Sequence, residues 1–213
     1  QDDVRTPDGT TPHSNFRQTD ASAFVSYDFS DKFTLGAWMD CFKGMYNSAP
    51  VSYGMMGDFY VEVPLWERIK YYAFAEAKDI SEFLTRIRFD TFYQKNEKEF
   101  QNFVDGGMFG HMVMANSNNF NRNMGASLQS DWQLGANNYM VAGYEIEYDK
   151  LNATTNQTDN IGATQLTHAV FASMETQLPR DFVLSYGVRW SHVKTEKLYR
   201  KSFHFYEIEY NRN

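Results

Sequence analysis

The sequence predicts an all-β protein: a transmembrane antiparallel up-and-down β-barrel, about eight or nine strands of which lie within these 213 residues. Three observations predict it. Residues Tyr139 to Asp149 sort into two faces at a period of two, with Met140, Ala142, Tyr144, Ile146 and Tyr148 on one side and Val141, Gly143, Glu145, Glu147 and Asp149 on the other. One face is aliphatic and aromatic while the other gathers carboxylates, the pattern of a strand with lipid outside and water inside. Short polar turns near residues 28–32, 78–81, 135–138 and 177–181 alternate with long connections near 44–66, 105–120 and 150–164, without a break in parity. Outer-membrane barrels keep their short turns on one side and long loops on the other, whereas a soluble sandwich has no reason to. Finally, aromatic residues reach 17%, with 14 Tyr and 18 Phe, and Tyr and Trp suit a membrane interface.

Composition narrows the alternatives. Hydrophobic residues make up 42% of the chain, yet no apolar run approaches the roughly 18 residues of a spanning helix, so any crossing is by strands. The net charge of -7 and the lack of a basic stripe argue against nucleic acid as a partner. A single cysteine, Cys41, rules out an internal disulfide framework and a cysteine-based zinc site; its mid-strand, apolar-facing position suits a small buried side chain. The start, Gln1-Asp-Asp-Val-Arg, has no basic and apolar signal segment, and Tyr210-Asn-Arg-Asn replaces the terminal aromatic strand of a finished barrel. The chain is therefore expected to be a section of a longer protein.

The first strand carries Ala21, Ala23, Val25 and Tyr27 on one face and ends at the turn Asp28-Phe-Ser-Asp-Lys. The second places Leu35, Ala37, Met39 and Cys41 outward and Asp40 inward. After the first long connection, Ile69, Tyr71, Ala73, Ala75 and Ala77 form the third apolar face. The fourth strand opposes Phe83, Thr85, Ile87, Phe89, Thr91 and Tyr93 to Arg86, Arg88, Asp90, Gln94 and Asn96; on a helix those charges would scatter around the circumference. Gly106-Gly-Met-Phe-Gly-His-Met-Val-Met and an Asn-rich run, 116–123, make the second long connection. Met124, Ala126, Leu128 and Trp132 mark the fifth strand and Tyr139 to Asp149 the sixth. A seventh runs to Gln177, the eighth shows Leu184, Tyr186, Val188 and Trp190 against Arg189, and 203–210 is a candidate ninth.

At Ser14-Asn-Phe-Arg-Gln, Ala21-Ser-Ala-Phe-Val-Ser-Tyr and Asp31-Lys-Phe-Thr-Leu the chain resembles the early barrel region of TonB-dependent outer-membrane receptors. The Pro64 to Arg68 segment with its following strand, the strand ending in Phe92-Tyr-Gln-Lys, and Leu184-Ser-Tyr-Gly-Val-Arg-Trp-Ser are similar to successive strands of that family. The resemblance runs from about Ser14 to Arg200 and rests on the order of its motifs, each of which recurs in many barrels. It implies a 22-stranded barrel around a plug domain, importing its ligand with energy transmitted from the inner membrane. Residues 1–213 would be one barrel section, with 1–14 a loop or strand end and neither plug nor TonB box within it. Among the subfamilies the chain looks most like haem receptors, although their haem-associated barrel motifs have no match. The implied cargo is haem or an iron-siderophore, with no intrinsic cofactor. The implied partners are membrane lipid or lipopolysaccharide, the plug and TonB system through the rest of the receptor, and a surface ligand-binding protein. The implied location is the bacterial outer membrane.

Two sets of site residues follow. Arg86, Arg88, Asp90, Glu145, Glu147, Asp149 and Arg189 are expected to face the lumen, where charges on neighbouring strands pair or simply hydrate the wall. His111 with Met108 and Met112, and Tyr46 and Tyr53 as aromatic platforms, are the candidate ligand-binding residues, since His and Met ligate or pack against a metalloporphyrin. Loop packing explains them equally well. His13, His168, His192 and His204 show no metal-ligand spacing. No catalytic motif is present, so an enzyme is not expected. Three other readings stay open: a complete small barrel acting as an adhesin or structural protein, an outer-membrane enzyme, and a soluble all-β binding domain.

Overall fold

The structure, a computed structural model, describes residues 3, 5–7, 9–10, 14–155, 160–180, 182–203 and 206–212. Among them the chain folds up and down into one antiparallel sheet, each strand pairing with the next long strand in sequence. The long strands are β3 (Phe16–Ser30), β4 (Phe33–Asn47), β6 (Asp58–Lys78), β7 (Leu84–Asp105), β8 (Met112–Gln133), β9 (Asn138–Thr155), β10 (Asn160–Leu178) and β11 (Phe182–Phe203), followed by the shorter β12 (Tyr206–Arg212). The short β5 (Val51–Ser52) adds to the loop end of β6, and β1 (Arg5–Thr6) pairs with β2 (Gly9–Thr10) apart from the main sheet. The sheet is open, with β3 and β12 as its edges. No helix is long and apolar enough to cross a membrane, which leaves crossing by strands unaffected.

The register turns eight separate alternations into two continuous surfaces. Asp90 lies opposite Phe74 on one side and Ser127 on the other, Ser127 opposite Glu145, and Glu145 opposite Ala169, so these residues share the inward face. The outward positions 87–93 of β7, 124–132 of β8, 140–148 of β9, 166–174 of β10 and 184–192 of β11 contain no Asp, Glu, Lys or Arg. From Met140 to Tyr148 this apolar stretch is nine residues long, the length a tilted strand needs to cross a hydrocarbon core. Large side chains such as Tyr71, Phe89, Leu128, Tyr144 and Trp190 stand exposed along it. Tyr71, Tyr93 and Tyr148 ring its upper edge, next to the long connections, and Phe33, Phe83 and Trp132 lie near its lower edge, as aromatic girdles do.

The long connections are a correction to the sequence reading. Of 44–66, 105–120 and 150–164, most is strand: between the paired ends of β4 and β6 lie only residues 48–57, and between β7 and β8 only 106–111. Residues 156–159 lie outside the described residues. β7 and β8, each 22 residues, extend about 70 Å at roughly 3.3 Å per residue, far beyond what a membrane needs. The period-two signal fades in these extensions because both faces meet water, while backbone pairing continues: Asn116 to Asn123 pair residue by residue with Gln101 to Gln94. Pro64 sits within β6 where the register shifts between Glu62 and Trp66, a position that tolerates a missing N–H donor.

On the inward face aromatic rings lie flat over glycines directly opposite: Phe74 over Gly36, Phe92 over Gly125 and Phe171 over Gly143. A Cβ on Gly125 would stand 2.7 Å from Phe92 Cε1, so these pairs keep large side chains against the wall.

A paired lumen face and a methionine-lined mouth

The inward face holds a charge network in its lower half, near the short turns. Arg88 Nη1 lies 3.1 Å from Glu76 Oε2, its Nε donates to Asp90 at 3.0 Å, its Nη2 donates to the Tyr72 hydroxyl at 3.0 Å, and its guanidinium rests 4.3 Å from the Phe74 ring centre. Tyr72 in turn donates to Asp90. Arg86 forms an ion pair with Asp131, 2.8 Å from Nε to Oδ2, and Asp131 accepts from Tyr139 at 2.7 Å and from Gln129 at 2.9 Å. Two carboxylates, Asp131 and Glu76, are buried to 2% and 7% exposure. Such burial is tolerable because each carboxylate faces cations, Glu76 those of Lys78, Arg86 and Arg88 and Asp131 that of Arg86, and Asp131 also accepts two hydrogen bonds. Glu76, Tyr72, Asp131 and Tyr139 complete this network although sequence reasoning did not single them out. Each occupies the inward parity of its strand, and that signal, carried from strand to strand by register, would have found them.

The remaining expected lumen residues are arranged differently. Arg189 reaches across β10 to Glu145, with both side chains well exposed. Glu147 and Asp149 share the side-chain amide of Asn123, which donates to Glu147 at 2.6 Å and also to Asp149. Neither has a cation partner among the described residues.

The mouth is built where β5, β6, β7 and β8 extend past the apolar stretch. Tyr53, Met56, Phe59, Val104, Met112 and Met114 line a concavity of about 490 Å³. Phe59, Val104 and Met112 lie opposite one another across β6, β7 and β8, on the inward side by register. Two loop tips close it through backbone contact: Gly57 (φ 92°) and Gly107 (φ 58°) are held in left-handed conformations, and a Cβ on Gly57 would stand 2.7 Å from the Asp105 carbonyl.

The ligand-binding candidates separate accordingly. Tyr53 and Met112 meet in the concavity, joined by Met56, Met114 and Phe59, which sequence reading did not choose. His111 lies elsewhere: its ring stacks on Phe103 at 5.6 Å and its Nδ1 is 3.5 Å from Asp105. Phe103 also stacks on Tyr60 at 5.1 Å, and burial, then the carboxylates Glu62 and Asp105, hold the Tyr60 hydroxyl above its ordinary pKa. Met108 is exposed on the 3-10 turn Gly107–Phe109. Tyr46 stands lower on the inward face, opposite Val63 and beneath the Lys98 ammonium at 5.5 Å. His168 and His192 are direct cross-strand neighbours on the outward face, and the Tyr144 hydroxyl is 2.6 Å from His168 Nδ1. His13 and His204 lie outside the described residues. No cluster of three or more His, Cys, Asp or Glu suited to a metal occurs among the described residues.

An up-and-down sheet with an uncharged outward band, a charged inward face and strands prolonged on the long-loop side defines the wall of a β-barrel. A solved structure with this fold is that of "Copper transporter OprC", which superposes with a TM-score of 0.73 at 13% sequence identity, over 93% of this chain and 36% of the transporter. The chain thus spans about a third of that transporter's length. No family model and no curated protein matches the sequence.

Proposed function

We propose that this chain is part of the barrel wall of a TonB-dependent outer-membrane transporter that captures its ligand at the long-loop mouth and passes it through the lumen. The observation that carries the reading is the combination, in one sheet, of a nine-residue lipid-facing band with strands long enough to raise an open apolar concavity well beyond it. The likeness in fold to a copper transporter supports a transporter wall. In this reading the open edges β3 and β12 continue into further strands of a 22-stranded barrel, and the paired network around Arg86, Arg88, Asp90, Glu76 and Asp131 stiffens the wall facing a plug domain. The TonB system and a surface ligand-binding protein are the remaining partners, and the wall performs no catalysis.

For the ligand we propose an iron complex, haem or a siderophore. Tyr53 and Phe59 offer aromatic platforms and Met56, Met112 and Met114 soft, polarisable contacts suited to a flat apolar ligand. A second reading, a copper ion, is favoured by the three thioethers, which select Cu(I), and by the cargo of the structural neighbour. Titrating the purified full-length protein with haem, a ferric siderophore and Cu(I) in parallel separates the two. The proposal expects a Soret shift or siderophore quenching that is lost in Met112→Ala/Met114→Ala and kept in His111→Ala. Binding of Cu(I) alone would replace it with the copper reading, and binding of none would remove the ligand assignment.

A further inference from the structure

The outward face carries a row of cations whose like charges nothing in the fold explains. Register places Lys95 opposite Arg122, and Arg122 opposite Lys150, on β7, β8 and β9. Like charges directly opposite one another across strands are destabilising. Elsewhere on this belt the cations are neutralised, Lys43 by Glu67 and Lys194 by Glu196 at 2.7 Å. In the row only Lys95 has a carboxylate, Glu97 at 3.3 Å; Arg122 and Lys150 have none among the described residues. The charges of Lys95 and Arg122 instead converge on one ring, 5.0 and 4.7 Å from the centre of Phe120.

The place of this row along the strands supplies a reason. Directly below it, at the next outward position of each strand, stand Tyr93, Met124 and Tyr148, the upper edge of the apolar band. Three cations therefore sit where the headgroups of the long-loop-side leaflet would lie, with apolar and aromatic side chains beneath them to meet the first carbons of acyl chains. We infer that Lys95, Arg122 and Lys150 form a binding site for the phosphate of a membrane lipid headgroup, with Tyr93, Met124 and Tyr148 as its apolar floor. The site rests on the barrel reading proposed above, since only a chain embedded in a bilayer brings a lipid phosphate to this level. The bound phosphate offsets the repulsion that the register imposes, and Phe120 holds two of the cations in place.

The test uses the full-length protein in an uncharged detergent, with bound lipid counted by native mass spectrometry during titration with diphosphoryl lipid A. The expected result is that K95Q/R122Q/K150Q lowers lipid affinity roughly twenty-fivefold, the unpaired Arg122 and Lys150 contributing about fivefold each. Lys43→Gln and Lys194→Gln, whose cations are already paired, leave it unchanged, and millimolar inorganic phosphate does not displace the lipid. Should the triple variant fail to fold, Lys150→Gln alone is expected to show the fivefold loss. Unchanged affinity in the triple variant, or in Lys150→Gln if that is the variant used, overturns the site; an equal loss in the paired-lysine controls reduces it to general surface charge; and displacement by inorganic phosphate makes it an anion site rather than a lipid site. Failure of the underlying barrel reading is separate: a protein that stays soluble without detergent and does not insert into liposomes refutes that reading whatever the variants bind.

Discussion

Two sectors of the same wall treat charge in opposite ways. From β6 to β8 the inward carboxylates Glu76 and Asp131 are buried against Arg86 and Arg88 and tied further by Tyr139 and Gln129. From β9 to β11 the inward Glu147 and Asp149 lean on a single amide, and the inward ion pair of Arg189 with Glu145 is exposed. The first arrangement fixes side chains in place and belongs to a surface that must hold its shape. The second leaves negative charge in contact with water. Strand pairing is interrupted by register shifts within β6 to β8, at Glu62/Trp66, Leu84/Arg86 and Asn102/Phe103, and runs without one from β8 to β11, so the two sectors differ in register as well as in side-chain chemistry.

The largest effect is expected on the outward face. Leu128→Arg places a charge near the centre of the outward band and should destabilise the folded barrel by about 2–4 kcal/mol, measured by urea titration in lipid vesicles, whereas Ser127→Arg, its inward neighbour, should cost much less. Within the paired sector, Asp131→Ala strips Arg86 of its buried partner and should cost about 1–3 kcal/mol by the same titration. In the open sector Asp149→Asn removes one of two carboxylates competing for Asn123, and stability is expected to hold or rise slightly. Equal losses at Asp131 and Asp149 would erase the distinction between the sectors.

A smaller effect sharpens the role of the flat rings. Gly125→Val should cost about 1–2 kcal/mol because the new side chain collides with Phe92, and Phe92→Ala should relieve most of that cost in a double-mutant cycle. At the mouth, Gly57→Val is expected to separate the two loop tips and abolish ligand capture while leaving barrel stability within error, as read by ligand titration beside the unfolding curve.

The wall was legible in the sequence wherever one face is apolar and the other polar, because that contrast shows as a strict alternation of period two. Met140 to Tyr148 and Ile87 to Tyr93 show it plainly, and their inward partners Glu145 and Arg88 follow directly. Beyond the band the same backbone pairing runs on through Asn116 to Asn123, but with water on both faces there is no alternation to read, and these residues looked like loop. Register was the other missing quantity. Asp131 stands beside Arg86 only because a bulge near Leu84 sets that pairing, and Met56 joins Met112 and Met114 only because Gly57 lets two loop tips touch. His111, conspicuous in sequence among methionines, lies in the bend just before β8 and stacks on Phe103 beside Asp105 instead.

The central claim is that β9 is a two-faced membrane strand, and spin labels placed singly at residues 139–149 of the reconstituted protein, in a Cys41→Ala background, test it most directly. The account predicts accessibility of period two: oxygen reaches labels at positions 140, 142, 144, 146 and 148 more readily, and a water-soluble nickel complex reaches those at 141, 143, 145, 147 and 149. Uniform access of the nickel complex to every position, or an alternation absent from the lipid-bound protein, would contradict it.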